Sequence, residues 1–134
     1  MSEDLLEQFE DQTASKVVRV EEINEHNVQI LESDDDYHQL VNTLGSNPCV
    51  LMFSAKWCGP CKTIWPTVMN ASNTYTGVKF AKVDVNGDMD TIVSLYGVKS
   101  IPVFECLNNG EIDKEIMGAN STELLEWLNS VNPQ

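Results

Sequence analysis

The sequence predicts an α/β protein with a central mixed β-sheet of four to five strands flanked by helices on both faces. Three observations carry that reading. Short apolar runs alternate with segments whose apolar residues recur at i, i+3, i+4 and i+7, in the order β α β α β α β β α. The run Val50-Leu51-Met52-Phe53 shows no alternation, as a central strand covered on both faces requires. Finally, Asn108-Asn109-Gly110 separates the last two strands, so one edge of the sheet is an antiparallel hairpin while right-handed crossovers make the rest parallel.

Each element has its own local cause. Val28 to Leu31 reads as a strand. Ser33 then suits an N-cap, and Asp34, Asp35 and Asp36 fall in the first helical turn, where negative charge meets the helix dipole favourably. Tyr37, Leu40, Val41 and Leu44 form the core face of that helix, and Gly45 ends it. The central strand spans Val50 to Ala55. A helix from about Cys58 to Tyr75 follows, with Pro60 tolerated in its first turn and Pro66 inside it, where a bend is expected. Val78 to Val85 is a further strand. Asp88 to Tyr96 is a helix turning Met89, Ile92, Val93 and Tyr96 inward and stopped by Gly97. The hairpin pairs Ile101–Leu107 with Glu111–Met117. Asn120 and Glu123 form a capping box for a last helix carrying Leu124, Leu125, Leu128 and Val131, with Trp127 off that stripe and half-buried.

A chain of 134 residues supports one core of ordinary size, so the expected organisation is an acidic N-terminal extension over residues 1–26 and a single domain over 27–134. The formal charge of −13 is unevenly placed: residues 1–36 hold twelve acids against Lys16 and Arg19 and carry −10, leaving −3 for the remainder. Such an arm is a poor match for nucleic acid or an anionic membrane, and neither is expected as a partner. Its apolar signals are Leu5, Leu6 and Phe9 at helical spacing, then Val17, Val18, Val20 and Ile23. A solvated acidic arm and a docking element are both open readings. The N-terminus lacks the basic and long apolar stretches of a signal peptide and is too acidic for a transit peptide, so a cytoplasmic location is expected.

Of four cysteines, Cys49, Cys58, Cys61 and Cys106, two form a close pair, which argues for a reducing compartment rather than a disulfide framework. In Trp57-Cys58-Gly59-Pro60-Cys61 the thiols stand three residues apart, on one face of any helix that starts there, so their sulfurs can meet and close a disulfide. Amide donors at a helix N-terminus favour a thiolate on the first of them. A zinc site would need two more ligands at suitable spacing, and the chain offers only the isolated Cys49, Cys106, His26 and His38, so no metal is expected. A Cys/His nucleophile is equally weak, because neither histidine falls near the loop in this topology. Cys49, Cys106 and Trp65 read as core residues, the histidines as surface residues. Lys56, Lys62 and Lys99 either lower the acidity of the face around the pair or are ordinary solvated lysines.

Phe53 to Lys62 (Phe-Ser-Ala-Lys-Trp-Cys-Gly-Pro-Cys-Lys), then Ile101-Pro102, then Gly118-Ala119-Asn120 resemble the thioredoxin family, in order and spacing, over about residues 27–131. The flanking residues are closer to its eukaryotic cytosolic-type members than to its oxidising ones. The resemblance implies the thioredoxin fold and a protein disulfide reductase that works by dithiol-disulfide exchange without a cofactor. By the same resemblance Cys58 is the exposed nucleophile and Cys61 the more buried resolving thiol of a redox disulfide. Trp57 is a lid, Gly59 and Pro60 complete the active-site loop, and Pro102 is a cis-proline facing the disulfide. Substrate binding falls to Trp57, Ile101, Pro102 and Gly118. The implied partners are disulfide-containing proteins and a thioredoxin reductase as electron donor.

One position departs from the family pattern. Where thioredoxins carry a buried Asp six residues before the first Cys, this chain has Met52, which packs well but cannot accept a proton. Lys82, matching a Lys near that Asp, is expected to lose its anionic partner, and release of substrate by Cys61 is expected to slow. This departure and the acidic extension also fit an alternative: a thioredoxin-like subunit of a larger assembly, cytoskeletal or dynein-type, docked through the extension, with secondary redox activity. The intact Trp-Cys-Gly-Pro-Cys loop argues against that alternative.

Overall fold

Strands and helices follow one another in the expected order: β1 (Val28–Ser33), α1 (Asp34–Leu44), β2 (Cys49–Ser54), α2 (Gly59–Thr74), β3 (Lys79–Asp88), α3 (Asp90–Leu95), β4 (Val103–Asn108), β5 (Glu111–Met117) and α4 (Ser121–Val131). The structure is a computed structural model that describes residues 25–131. The expected acidic extension, with Leu5, Leu6 and Phe9, lies outside the described residues except for Glu25 and His26.

The five strands form one sheet in the order β1-β3-β2-β4-β5. β3 runs parallel to both β1 and β2; β4 is antiparallel to β2 and to β5. With a strand on each side and helices above and below, all six residues of β2 are buried. This is why the run from Val50 to Phe53 shows no polar alternation. Successive side chains leave the sheet on opposite faces and divide the core in two. Val50, Met52, Phe80 and Phe104 pack with Ile64 and Val68 of α2 and Leu124 and Leu128 of α4. Leu51, Phe53 and Val83 pack with Tyr37 and Leu40 of α1 and Ile92 of α3. Tyr37 and Tyr96 join their hydroxyls at 2.6 Å, tying α1 to the end of α3.

Helix ends follow their capping chemistry. The Asp36 N–H donates to Ser33 Oγ at 3.2 Å, and Gly45 adopts φ 59°. The Glu123 N–H donates to Asn120 Oδ1 at 3.0 Å, and Asn120 Nδ2 donates back to Glu123 Oε1 at 3.0 Å. In the hairpin, Asn109 at φ 55° and Gly110 at φ 80° occupy the left-handed region that this tight turn requires.

Three details differ from the expectation. Asp88 ends β3 instead of opening α3, because after a register shift it pairs with Ser33 of β1. β4 starts at Val103, one residue past Pro102, whose missing N–H cannot join the ladder. Trp127 is buried rather than half-buried, with its indole N–H donated to Asp113 Oδ2 at 2.7 Å across to β5. That bond gives the ring's single polar atom a partner and lets the rest of it enter the core.

Candidate active site

The central strand ends at Ser54, and three residues later the chain turns into α2 with Cys58 as its N-cap. A cap residue has extended backbone while its neighbours become helical; Cys58 sits at φ −87°, ψ 111°. Its side chain takes the place of the usual capping oxygen, and the Cys61 N–H donates to Cys58 Sγ at 3.2 Å. Pro60 costs nothing here, since N–H groups of the first turn lack helical partners anyway. Cys58 and Cys61 are joined as a disulfide, with Cα atoms 5.3 Å apart. A backbone donor and the positive end of α2 thus both face the first sulfur, the arrangement that stabilises a thiolate there.

Exposure does not separate the two cysteines as expected. Both are 4 % exposed. In the disulfide the Cys58 sulfur is turned back over the start of α2 towards Cys61, and both cysteines join the core beneath that helix. Trp57, by contrast, is 70 % exposed and is held by its indole N–H donating to Asn86 Oδ1 at 2.6 Å. Trp57 and Ile101 border one surface cavity of about 430 Å³, which Lys99 also reaches. The Ile101-Pro102 bond is cis, and the Gly118 N–H donates to Pro102 O at 2.8 Å. Gly118 has φ 80°, and a Cβ there would meet no atom within 4 Å, so the glycine serves the backbone angle and the space beside it is open.

A second cavity, of about 530 Å³, opens behind Cys61 between β2, β3 and α2. Its wall includes Met52, Trp65, Lys82 and Asp84, with Lys56 and Lys62 at the edge. Met52 is 1 % exposed and stands in register with Lys82. The Lys82 ammonium lies 4.1 Å from the centroid of the Trp65 ring. Burial lowers the Lys82 pKa, and the Asp84 carboxylate partly offsets that by raising it.

This corrects three expectations. Lys82 keeps an anionic neighbour, because Asp84, two residues on along the same strand, points to the same face. Trp65 is only half-buried: it packs against the edge of the core and also walls the cavity, its ring spanning from Lys82 to His26. His26 is half-buried and not a free surface residue: its ring meets Trp65 edge-on at 5.4 Å, and its pKa is lowered by burial and then by Lys82. Asp84 and Asn86 are the residues that the motifs did not single out. The i, i+2 spacing from Lys82 was the available signal for Asp84; nothing local marks Asn86 as the anchor of a tryptophan 29 positions away.

The remaining thiols stand apart from this chemistry. Cys49 and Cys106 are 0 % exposed, on opposite faces of the sheet. Burial pushes each up to about 12, against a lowering by Lys79 at Cys49. Among the described residues, no group of three or more His, Cys, Asp or Glu side chains could hold a metal ion, and no helix is long and apolar enough to cross a membrane.

A family model described as Thioredoxin matches residues 27–130. The chain belongs to the thioredoxin family. It is 36 % identical over 104 residues to a thioredoxin of Sus scrofa, covering 78 % of this chain and 98 % of that protein. It is 34 % identical over 120 residues to the chloroplastic Thioredoxin F-type of Pisum sativum, covering 90 % of this chain but 63 % of that protein, so it spans less than two thirds of that relative's length. The X-ray structure of Fasciola hepatica thioredoxin superposes with a TM-score of 0.73 at 32 % identity, covering 78 % of this chain and 99 % of that one. The five-stranded mixed sheet with helices on both faces is the family's fold, as the sequence led one to expect.

Proposed function

We propose that the protein is a protein disulfide reductase acting by dithiol-disulfide exchange through Cys58 and Cys61. The observation that carries this reading is the Cys61 N–H directed at Cys58 Sγ, within a disulfide that caps α2. In the reduced protein the same donor and the helix dipole favour a Cys58 thiolate. That thiolate attacks one sulfur of a substrate disulfide, whose other sulfur departs. The Cys61 thiolate then attacks Cys58 Sγ, the mixed disulfide breaks, and the substrate leaves as a dithiol while Cys58 and Cys61 close their own disulfide. Holding Cys61 three residues from Cys58 makes the second displacement intramolecular and therefore fast.

In this reading Trp57 shields the disulfide, Gly59 and Pro60 shape its loop, and Ile101, Pro102 and Gly118 receive an extended segment of the substrate protein. The open space beside Gly118 and the cavity shared by Trp57 and Ile101 support that assignment. Electrons would return from a thioredoxin reductase. A single close cysteine pair in place of a disulfide framework supports a reducing, cytoplasmic setting, and the exchange itself uses only the two thiols.

Reduction of insulin disulfides tests the proposal. Wild type turns over, Cys58→Ser abolishes turnover, and Cys61→Ser accumulates a stable mixed disulfide. A chain lacking residues 1–24 retains activity if the reductase reading holds. Inactive wild type that pulls down a partner only with its extension intact would favour the assembly-subunit alternative.

A further inference from the structure

The cavity behind Cys61 contains a carboxylate where Met52 offers none. β2 and β3 run parallel with Met52 beside Lys82 and Ser54 beside Asp84, so all four side chains leave the sheet on the face that carries α2. Cys61, Lys82 and Asp84 line the same space. Asp84 Oδ1 accepts the Asn86 N–H at 2.9 Å, which orients the carboxylate, and Asn86 in turn holds Trp57. The other charged groups bordering this space are Lys82 from β3, Lys56 from the loop and Lys62 from α2, all cationic; His26 meets the far edge of Trp65.

Building on the reductase reading, we propose that Asp84, oriented by the Asn86 amide and with Lys82 beside it in the same cavity, accepts the proton of Cys61 through a hydrogen-bonded water when Cys61 resolves the mixed disulfide. The cavity of about 530 Å³ is mostly apolar but has ample room for such a water beside the Lys82 and Asp84 side chains that line it. The step balances. The Cys61 S–H proton passes to the Asp84 carboxylate, and the sulfur electron pair forms the bond to Cys58 Sγ. The Cys58–substrate S–S bond breaks, and the departing substrate thiolate takes up a proton, which Asp84 or solvent returns. The protein dithiol is oxidised and the substrate disulfide reduced. Asp84 is a positioning residue that acts through a water on the attacking Cys61 thiol and touches neither Cys58 nor the substrate.

The decisive measurement is single-turnover release of the second substrate thiol by the full-length protein between pH 5.5 and 9. Asp84→Asn is expected to slow that step about tenfold at neutral pH, with the first release unchanged and the deficit shrinking as rising pH ionises Cys61 directly. Adding Met52→Asp to Asp84→Asn is expected to restore the rate. A purely electrostatic influence has the opposite sign, because removing negative charge beside Cys61 eases its ionisation and speeds release. Unchanged or faster release in Asp84→Asn, or equal slowing of both steps, overturns the proposal. Titration of Cys61 in the reduced protein, followed by its ¹³Cβ shift, is a second readout. A carboxylate inflection that disappears in Asp84→Asn supports the coupling, and its absence overturns it. If wild type does not reduce insulin at all, the reductase reading fails, and this titration alone decides the role of Asp84.

Discussion

Glu105 and Glu115 stand directly opposite one another on β4 and β5, and Glu105 is 1 % exposed with no hydrogen-bond partner for its Oε1 among the described residues. Burial first, then the hydrogen bond and charge of Glu115, push the Glu105 carboxyl up to about 8. The folded protein therefore keeps a proton that the unfolded chain releases at ordinary carboxylate pH. Between about 4.5 and about 8 the unfolded state binds fewer protons, so stability falls as pH rises through this window and levels off above it. Glu105→Gln keeps the shape without the charge. It is expected to remove most of that slope and to be clearly more stable than wild type at pH 8.5, with little change at pH 5, read by urea unfolding. A slope equal to that of wild type would show that Glu105 is not the titrating group.

The bond from Trp57 to Asn86 holds an otherwise exposed indole in place beside the active-site loop. Asn86→Ala removes the acceptor but no core contact. Its melting temperature is expected to stay near that of wild type, while kcat/KM for insulin reduction falls about fivefold, in keeping with about 1 kcal/mol for a single neutral hydrogen bond. An unchanged kcat/KM would mean that the position of the indole does not matter to turnover.

Cys49 and Cys106 should be silent towards thiol reagents. With both thiols buried and pushed up to about 12, the reduced native protein alkylated at pH 8 is expected to gain label at Cys58 and Cys61 only. Full labelling should require denaturant. Peptide mapping that finds native Cys106 alkylated at the rate of Cys58 would contradict this burial.

Trp127 tests how α4 is joined to the hairpin. Trp127→Phe keeps most of the apolar ring but loses the donor to Asp113, and it leaves a small void. A loss of about 1–2 kcal/mol in stability is expected, with insulin reduction per folded molecule unchanged. A cost below about 0.5 kcal/mol, within the range of ordinary surface substitutions, would mean that the bond is not stabilising.

Most of the fold was legible because its causes are local. Ser33 caps whatever helix follows it, Asn109-Gly110 suits a tight hairpin, and the apolar run from Val50 to Phe53 has to be covered on both sides. The redox pair was legible for the same reason, since three residues of separation and a helix start are sequence properties. Asp88 and Trp127 were misjudged because their placement depends on distant partners, Ser33 and Asp113. Position 52 taken alone leaves Lys82 without an anionic partner, whereas strand register sets Asp84 beside Ser54 and turns it to the same face.

By itself, then, the sequence determined the order of elements, the dithiol at a helix start and the loss of a carboxylate at Met52. Spacing, capping and burial pattern act within a few residues and can be read along the chain. Only the tertiary structure decided that Asp84 and Lys82 share a space with Cys61, that Asn86 anchors Trp57, and that Glu105 is buried opposite Glu115. Those relationships arise where strands and loops far apart in sequence meet in register, and the packing that joins them is a property of the whole sheet.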